Sequence, residues 1–200
     1  MQPDFCRGLL GAGSSGQALI EFAFVLPLLM LLVLGIVEIG YALLDQHMIT
    51  KLTREGSNLI SRDTSIEDAY KAIKSMSTPP VNFTSGTSKI IFSVIRKVET
   101  AGAPNFNRVI LYQRYTSPGG PANSSILNCS GGSFGGAPDY QANNSDNDTS
   151  LQITALPANV TISLGGLVYV TEIYTNHQLI TPFDKLGVTV PNILYSIAYF

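Results

Sequence analysis

Residues 16–44 read GQALIEFAFVLPLLMLLVLGIVEIGYALL, an apolar run interrupted by the carboxylates Glu21 and Glu38. From Phe22 to Val37 it carries no charge, and past Glu38 the apolar character continues through Ile39, Tyr41, Leu43 and Leu44. Counted from Gln17, it supplies the ~20 mostly apolar residues, at about 1.5 Å each, that a helix needs to cross a hydrocarbon core. The composition agrees with a partly lipid-facing chain. Of the 200 residues 45% are hydrophobic and 13% charged, against about 25% charged in soluble globular chains. The net charge is −2 and the twelve Lys and Arg are scattered. No basic stripe exists to neutralise a phosphate backbone, so nucleic acid is not an expected partner.

Charged flanks do not orient the segment. Arg7 is offset by Asp4 on one side, and Lys51, Arg54, Glu55 and Arg62 are mixed on the other. The junction at residues 13–22, GSSGQALIEF, carries more information. Small residues stop at Gly16, and Glu21 stands at the start of the apolar helix. A carboxylate in a membrane segment is costly and normally has a partner or a task. One reading is that Glu21 marks the interfacial end of the helix and snorkels to water. In the other, the chain is cut after Gly16, Gln17 gains a free α-amino group, and Glu21 lies one turn along, able to pair with the amine of a neighbouring subunit.

Gly16 followed by QALIEF and an apolar helix resembles the motif cleaved by prepilin peptidases. Together with Thr53–Leu59 (TREGSNL), residues 16–44 resemble the TadE-like family of tight-adherence pilus proteins. The resemblance rests on Gly16, Glu21, Phe22, the Leu26-Pro27 pair, Gly35, Glu38, Gly40 and the Arg54-Glu55-Gly56 triplet. It implies a cleaved leader over 1–16, processing between Gly16 and Gln17, and a registering role for Glu21. Phe22 would be contacted by the processing enzyme and by neighbouring helices. It also implies residence in the bacterial inner membrane, with a cytoplasmic N-terminus and an extracytoplasmic C-terminal domain. The implied partners are the membrane, prepilin peptidase, other pilin-like subunits and the pilus assembly platform, with no small-molecule substrate. Pro27 removes a backbone donor and predicts a helix kink. Gly35 and Gly40 lack the GxxxG spacing of a tight helix dimer.

Beyond Leu44 the helix is expected to continue to Arg62, because Met48, Leu52, Leu59 and Ile60 recur at helical spacing and offer a face to dock on the following domain. Gly56 costs that helix about 1 kcal/mol relative to Ala, marking a bend or a close approach. Thr64 or Ser65 offers an N-cap for a short helix to Met76, with Asp68 three residues after Ser65 in a capping-box-like arrangement. Pro79 and Pro80 end it. Strand-like stretches follow at Lys89–Glu99, Arg108–Thr116, Ser150–Ala155, Asn159–Leu164 and Leu167–Tyr174. Val188–Phe200 reads as a last strand or a short helix, with Pro191 opposing strand pairing. The expected fold class is α+β: a transmembrane and juxtamembrane helix over 17–62, then a domain over 63–200 with a short helix and an antiparallel sheet. The pilin resemblance implies the same architecture.

Residues 117–149, rich in Gly, Pro, Asn and Ser, exceed the ~12 to 15 residues beyond which structureless loops are uncommon. The stretch is therefore functional, disordered or ordered by packing, and is read by default as an exposed loop. The sequons at Asn82, Asn123, Asn128, Asn143, Asn147 and Asn159 follow from composition. Catalytic chemistry is missing. His47 and His177 stand singly and read as surface residues. Asp139, Asp146 and Asp148 lack the glycine and terminal glutamate of a calcium loop, and no metal, cofactor or nucleophile pattern emerges. Cys6 and Cys129 have no metal-type spacing, and removal of the leader leaves Cys129 alone. The resemblance implies a minor pilin, and the missing catalytic pattern argues against an enzyme. The alternatives are a signal-anchored extracytoplasmic binding or adhesion domain, an anchored hydrolase, or a secreted protein cut near Gly40-Tyr41-Ala42.

Overall fold

A computed structural model of the chain describes residues 14–158, 160–181, 185 and 192–200. Its elements are α1 (Ser14–Ser61), α2 (Ile66–Met76), β1 (Ser88–Lys97), β2 (Val109–Thr116), a 3-10 turn (Thr149–Leu151), β3 (Leu167–Asn176) and β4 (Ile193–Tyr199). The fold is α+β and pilin-like, with a long apolar N-terminal helix, a short helix and an antiparallel sheet. The chain divides into two compact units, residues 1–41 with 179–188, and residues 42–178 with 189–200.

The larger unit is built on a four-stranded sheet of order β2-β1-β3-β4, antiparallel throughout. One face takes the C-terminal part of α1 and all of α2. Ile49, Leu52 and Ile60 of α1 and Ile66, Ala69 and Ile73 of α2 are buried against Ile90, Phe92 and Val94 of β1 and Ile173 of β3. Met48 and Leu59 pack at the margin, so the helical spacing seen in the sequence is the docking face. α2 starts where its cap predicts: the Ser65 hydroxyl accepts from Asp68 N at 3.2 Å and donates to Asp68 Oδ2 at 2.8 Å. That cap satisfies a backbone donor that would otherwise have no partner in the first helical turn.

The opposite face is not left to solvent. Ile95, Leu111 and Val170 pack there with Leu127, Phe134, Ile153, Leu156 and Ile162, so the chain between β2 and β3 forms a third layer. Packing at Leu127 and Phe134 anchors the stretch 117–149, most of whose other residues are exposed, so the loop is exposed as expected and partly ordered by packing. The third layer explains why β1 reads IIFSVI with almost no polar alternation, since a strand covered on both sides needs apolar residues in both registers.

Two expected strands are absent as such. At Ser150–Ala155, Asp148 Oδ1 accepts from Ser150 N at 3.0 Å and turns the chain into the 3-10 segment. Only single bridges follow, Gln152 to Ile110 and Ile153 to Cys129. For Asn159–Leu164, Asn159 lies outside the described residues and 160–164 are irregular, with Ile162 pointing into the third layer. The alternation there is real, but the described residues pair with neither edge strand, β2 or β4. The C-terminal stretch is a strand from Ile193, and Pro191 lies outside the described residues.

Candidate functional site

The first part of α1 is long and apolar enough to cross a membrane, and its most apolar window has no buried residue. Phe24, Leu28 and Ile36 are exposed by 78%, 69% and 63%, an arrangement that water does not tolerate over so many turns. At the start of the helix, Gly16 is exposed, and a Cβ placed there would meet nothing within 4 Å. Gln17 Nε2 donates to Glu21 Oε1 at 2.9 Å, and Phe22 projects outward. α1 continues as helix across Pro27.

The second carboxylate of the apolar run, Glu38, differs from the first. It is buried to 4% exposure. Its carboxylate accepts from Thr181 N at 2.9 Å, from the Thr181 hydroxyl at 2.6 Å and from Ile180 N at 3.2 Å. Sequence reading noted Glu38 only as a motif residue. The signal for more was its position, a carboxylate flanked on both sides by apolar residues.

In the larger unit α1 changes partner. His177 Nδ1 lies 2.6 Å from Asp45 Oδ2 and the His177 side chain is 1% exposed, which corrects its reading as a surface residue. His177 directly follows β3, whose end brings it against the helix. His47, in contrast, is exposed as expected. Thr53 and Ser57, both fully buried, bond to β4, Thr53 Oγ1 to Ser196 Oγ at 2.9 Å and Ser57 Oγ to Ala198 O at 3.0 Å. Gly56 is a close approach: a Cβ there would lie 2.9 Å from Thr171 Cγ2 and 3.1 Å from Phe92 Cε1.

The segment with these properties is the one that matches a known family. Residues 16–58 match the family described as TadE-like protein. This part of the chain is TadE-like. The match starts at Gly16, includes Glu21, Pro27, Glu38 and Gly56, and ends three residues before α1 does. No curated protein and no solved structure matches the chain. The TadE-like family is a pilus-assembly family without known catalytic activity, and its signature here lies wholly on one helix.

The remaining titratable groups hold the larger unit together. Glu172, fully buried on β3, accepts from the Ser125 hydroxyl, from Ile126 N at 3.0 Å and from Tyr195 OH at 3.1 Å, and so pins the third layer to the sheet. Burial, reinforced by the Glu172 charge, pushes the Tyr174 phenol up to about 12 and raises Tyr195 further. Burial also lowers Arg114, against the opposing pull of Glu172. Asp146 bonds Thr100 and Arg96, and Asp148 caps the 3-10 turn, so these acidic residues are structural ties. Among the described residues no group of three His, Cys, Asp or Glu is placed to hold a metal ion. Cys129 is a free thiol and Cys6 lies outside the described residues.

Proposed function

We propose that this chain is a TadE-like minor pilin that acts in assembly of a tight-adherence type IV pilus. In this reading prepilin peptidase cuts between Gly16 and Gln17 and releases a leader of residues 1–16. The helix from Gln17 anchors the protein in the bacterial inner membrane with its N-terminus cytoplasmic and residues 63–200 extracytoplasmic. Glu21 pairs with the new amine of a neighbouring pilin-like subunit, Phe22 packs beside it, and Pro27 gives the helix a soft point for leaving the bilayer.

The observation that carries the reading is the TadE-like match beginning at Gly16, the junction where small residues give way to the apolar helix. Two features of the junction support it. Among the described residues no packing requires Gly16, since a Cβ there would meet nothing within 4 Å. Glu21 is exposed and, among the described residues, bonds Gln17 four residues earlier, which leaves it accessible to a second molecule.

The test is the mature N-terminus, determined by intact mass and N-terminal peptide sequencing after expression with and without prepilin peptidase. A peptidase-dependent start at Gln17, with processing intact but pilus assembly lost in Glu21→Ala, is the expected result. A chain still beginning at Met1 would make the protein a signal-anchored adhesion or binding domain, and a start near Leu43 a secreted one.

A further inference from the structure

Glu38 lies inside the apolar run. Ile36 and Val37 before it and Ile39 and Tyr41 after it are exposed, and the sequence stays apolar to Leu44. From Phe22, where the uncharged run starts, sixteen residues at about 1.5 Å each place Glu38 about 24 Å along the helix. A hydrocarbon core about 30 Å thick therefore reaches past it. An ionised carboxylate at that depth is unfavourable unless its oxygens are supplied with donors. Here they are supplied by residues distant in sequence: the backbone N–H groups of Ile180 and Thr181 and the Thr181 hydroxyl. Two consequences follow. The carboxylate is supplied with protein donors, and the backbone of residues 180–181 is fixed beside a helix segment whose exposed residues are apolar. Ile180, 58% exposed, then directs an apolar side chain outward at the same level.

From this arrangement we propose that Ile180 and Thr181, in the connection between β3 and β4, form a lipid-contacting element held at the outer hydrocarbon–headgroup boundary by Glu38. The occupant of this surface is the bilayer itself. The backbone donors of the element are directed to Glu38, as irregular backbone near lipid requires, and its exposed side chain is apolar. The proposal rests on the membrane-anchor reading of α1 and assigns Glu38 a role separate from that of Glu21.

The experiment uses the full chain with Cys6→Ser and Cys129→Ser, reconstituted in phosphatidylcholine–phosphatidylglycerol vesicles. A bimane is attached at Ile180→Cys, Leu32→Cys or Asn123→Cys in turn. Quenching by lipids brominated on the acyl chain is compared with quenching by aqueous iodide. The expected result is strong bromolipid quenching at 32, bromolipid quenching with protection from iodide at 180, and iodide quenching alone at 123. Adding Glu38→Ala, or the milder Thr181→Val, shifts position 180 toward the iodide response of position 123 and leaves position 32 unchanged.

A bromolipid response at 32 with an iodide response at 180 would overturn the proposal and leave the anchor intact. Iodide quenching at 32 would overturn the anchor reading as well. Protection of position 180 from both quenchers would mean that protein, such as a second copy of the chain, covers the element, and would also refute the proposal. The comparison of the three positions in the background without a Glu38 change does not depend on how that variant folds.

Discussion

Replacing Gly56 with Ala sets two effects of known size against each other. Helix propensity favours the change, since Ala is better than Gly in a helix interior by about 1 kcal/mol. Packing opposes it. The new methyl would lie 2.9 Å from Thr171 Cγ2, closer than carbon atoms approach, and 3.0 Å from Thr171 Oγ1 and 3.1 Å from Phe92 Cε1, tight enough that these atoms must give way by a few tenths of an ångström. Thr171 and Phe92 are both fully buried, so neither can swing into solvent to make room. Overpacking of this kind costs about 1–3 kcal/mol, which matches or exceeds the propensity gain and leaves Gly56→Ala destabilised by up to about 2 kcal/mol. Gly56→Val, with two further methyl groups in the same space, is expected to disrupt docking of the helix on the sheet. The partner change decides whether the clash is the cause. Thr171→Ala removes two of the three crowding atoms, including the nearest, and it also removes a buried hydroxyl that lacks a hydrogen-bond partner. In the double variant Gly56→Ala/Thr171→Ala the methyl has space, so the penalty of Gly56→Ala should largely vanish, a coupling within the range of about 0.5–3 kcal/mol seen for contacting residues. The assay is thermal unfolding of the full chain in detergent followed by near-UV circular dichroism, where 1 kcal/mol corresponds to about 2–4 °C. Strict additivity of the two changes, or a higher midpoint for Gly56→Ala alone, would refute the reasoning.

Glu172→Ala strands the donors of Ser125, Ile126 and Tyr195. It should cost about 1–3 kcal/mol for each buried donor left without a partner, and hydrogen exchange should quicken first at the amides of Ile126 and Leu127. Tyr174, Tyr195, Tyr199, Tyr169 and Tyr115 all have phenols raised by burial. A raised folded value means full stability below the unfolded phenol pKa of about 10 and progressive loss above it, so alkaline unfolding should begin near that pH and move upward in Tyr195→Phe. Asp146 runs the other way. Its carboxyl is held low, first by the Thr100 hydroxyl and then by Ser145 and Arg96, against its own desolvation. Its contribution is present above the ordinary Asp value of about 3.9 and lost as pH falls through the depressed one. Asp146→Asn should therefore be less stable than the parent near neutrality, and the two should converge in acid, as measured by urea unfolding at a series of pH values.

What could be read from the sequence divides along physical lines. The membrane-length helix, the Ser65 cap and the strands β1, β2 and β3 depend on local periodicity and local hydrogen bonds, and those are written in consecutive residues. Gly56 was legible as an exception to helix propensity, although its cause, the side chain of Thr171, is more than a hundred residues away. The third layer was not legible, because its Gly, Asn and Ser content is that of a surface loop. It is ordered by a few distant anchors: Leu127 in the second apolar cluster, Ala142 N on Tyr112 O at 2.8 Å, and Glu172. His177 shows the same limit, since an isolated histidine carries no sign of a partner lying 132 positions earlier. The alternation of residues 160–164 misled because period alone does not reveal whether a segment pairs with a sheet edge or packs on a sheet face, as Ile162 does.

The end of the TadE-like match at residue 58 has a structural meaning. Downstream of the apolar run, α1 carries two neighbouring stripes. Ile49, Leu52, Gly56 and Ile60 form one, lying on the apolar core and on Thr171 and Phe92. Gln46, Thr53 and Ser57 form the other, bonding Tyr195 O, Ser196 Oγ and Ala198 O along β4. The apolar stripe alone would allow the helix to turn or slide on the sheet, because dispersion and burial are not directional. The second stripe removes that freedom, since a slip of one residue would break these bonds to β4 and strand the buried Ser57 hydroxyl at about 1–3 kcal/mol, while Thr53 keeps its bonds to Ile49 O and Thr50 O. It also protects an edge strand whose sequence, ILYSIAY, contains neither a charge nor a proline to discourage pairing with another chain. One helix thus holds the features of an apolar anchor upstream and of a register-fixed docking strip downstream. All but the last of these positions, Ile60, fall within the TadE-like match.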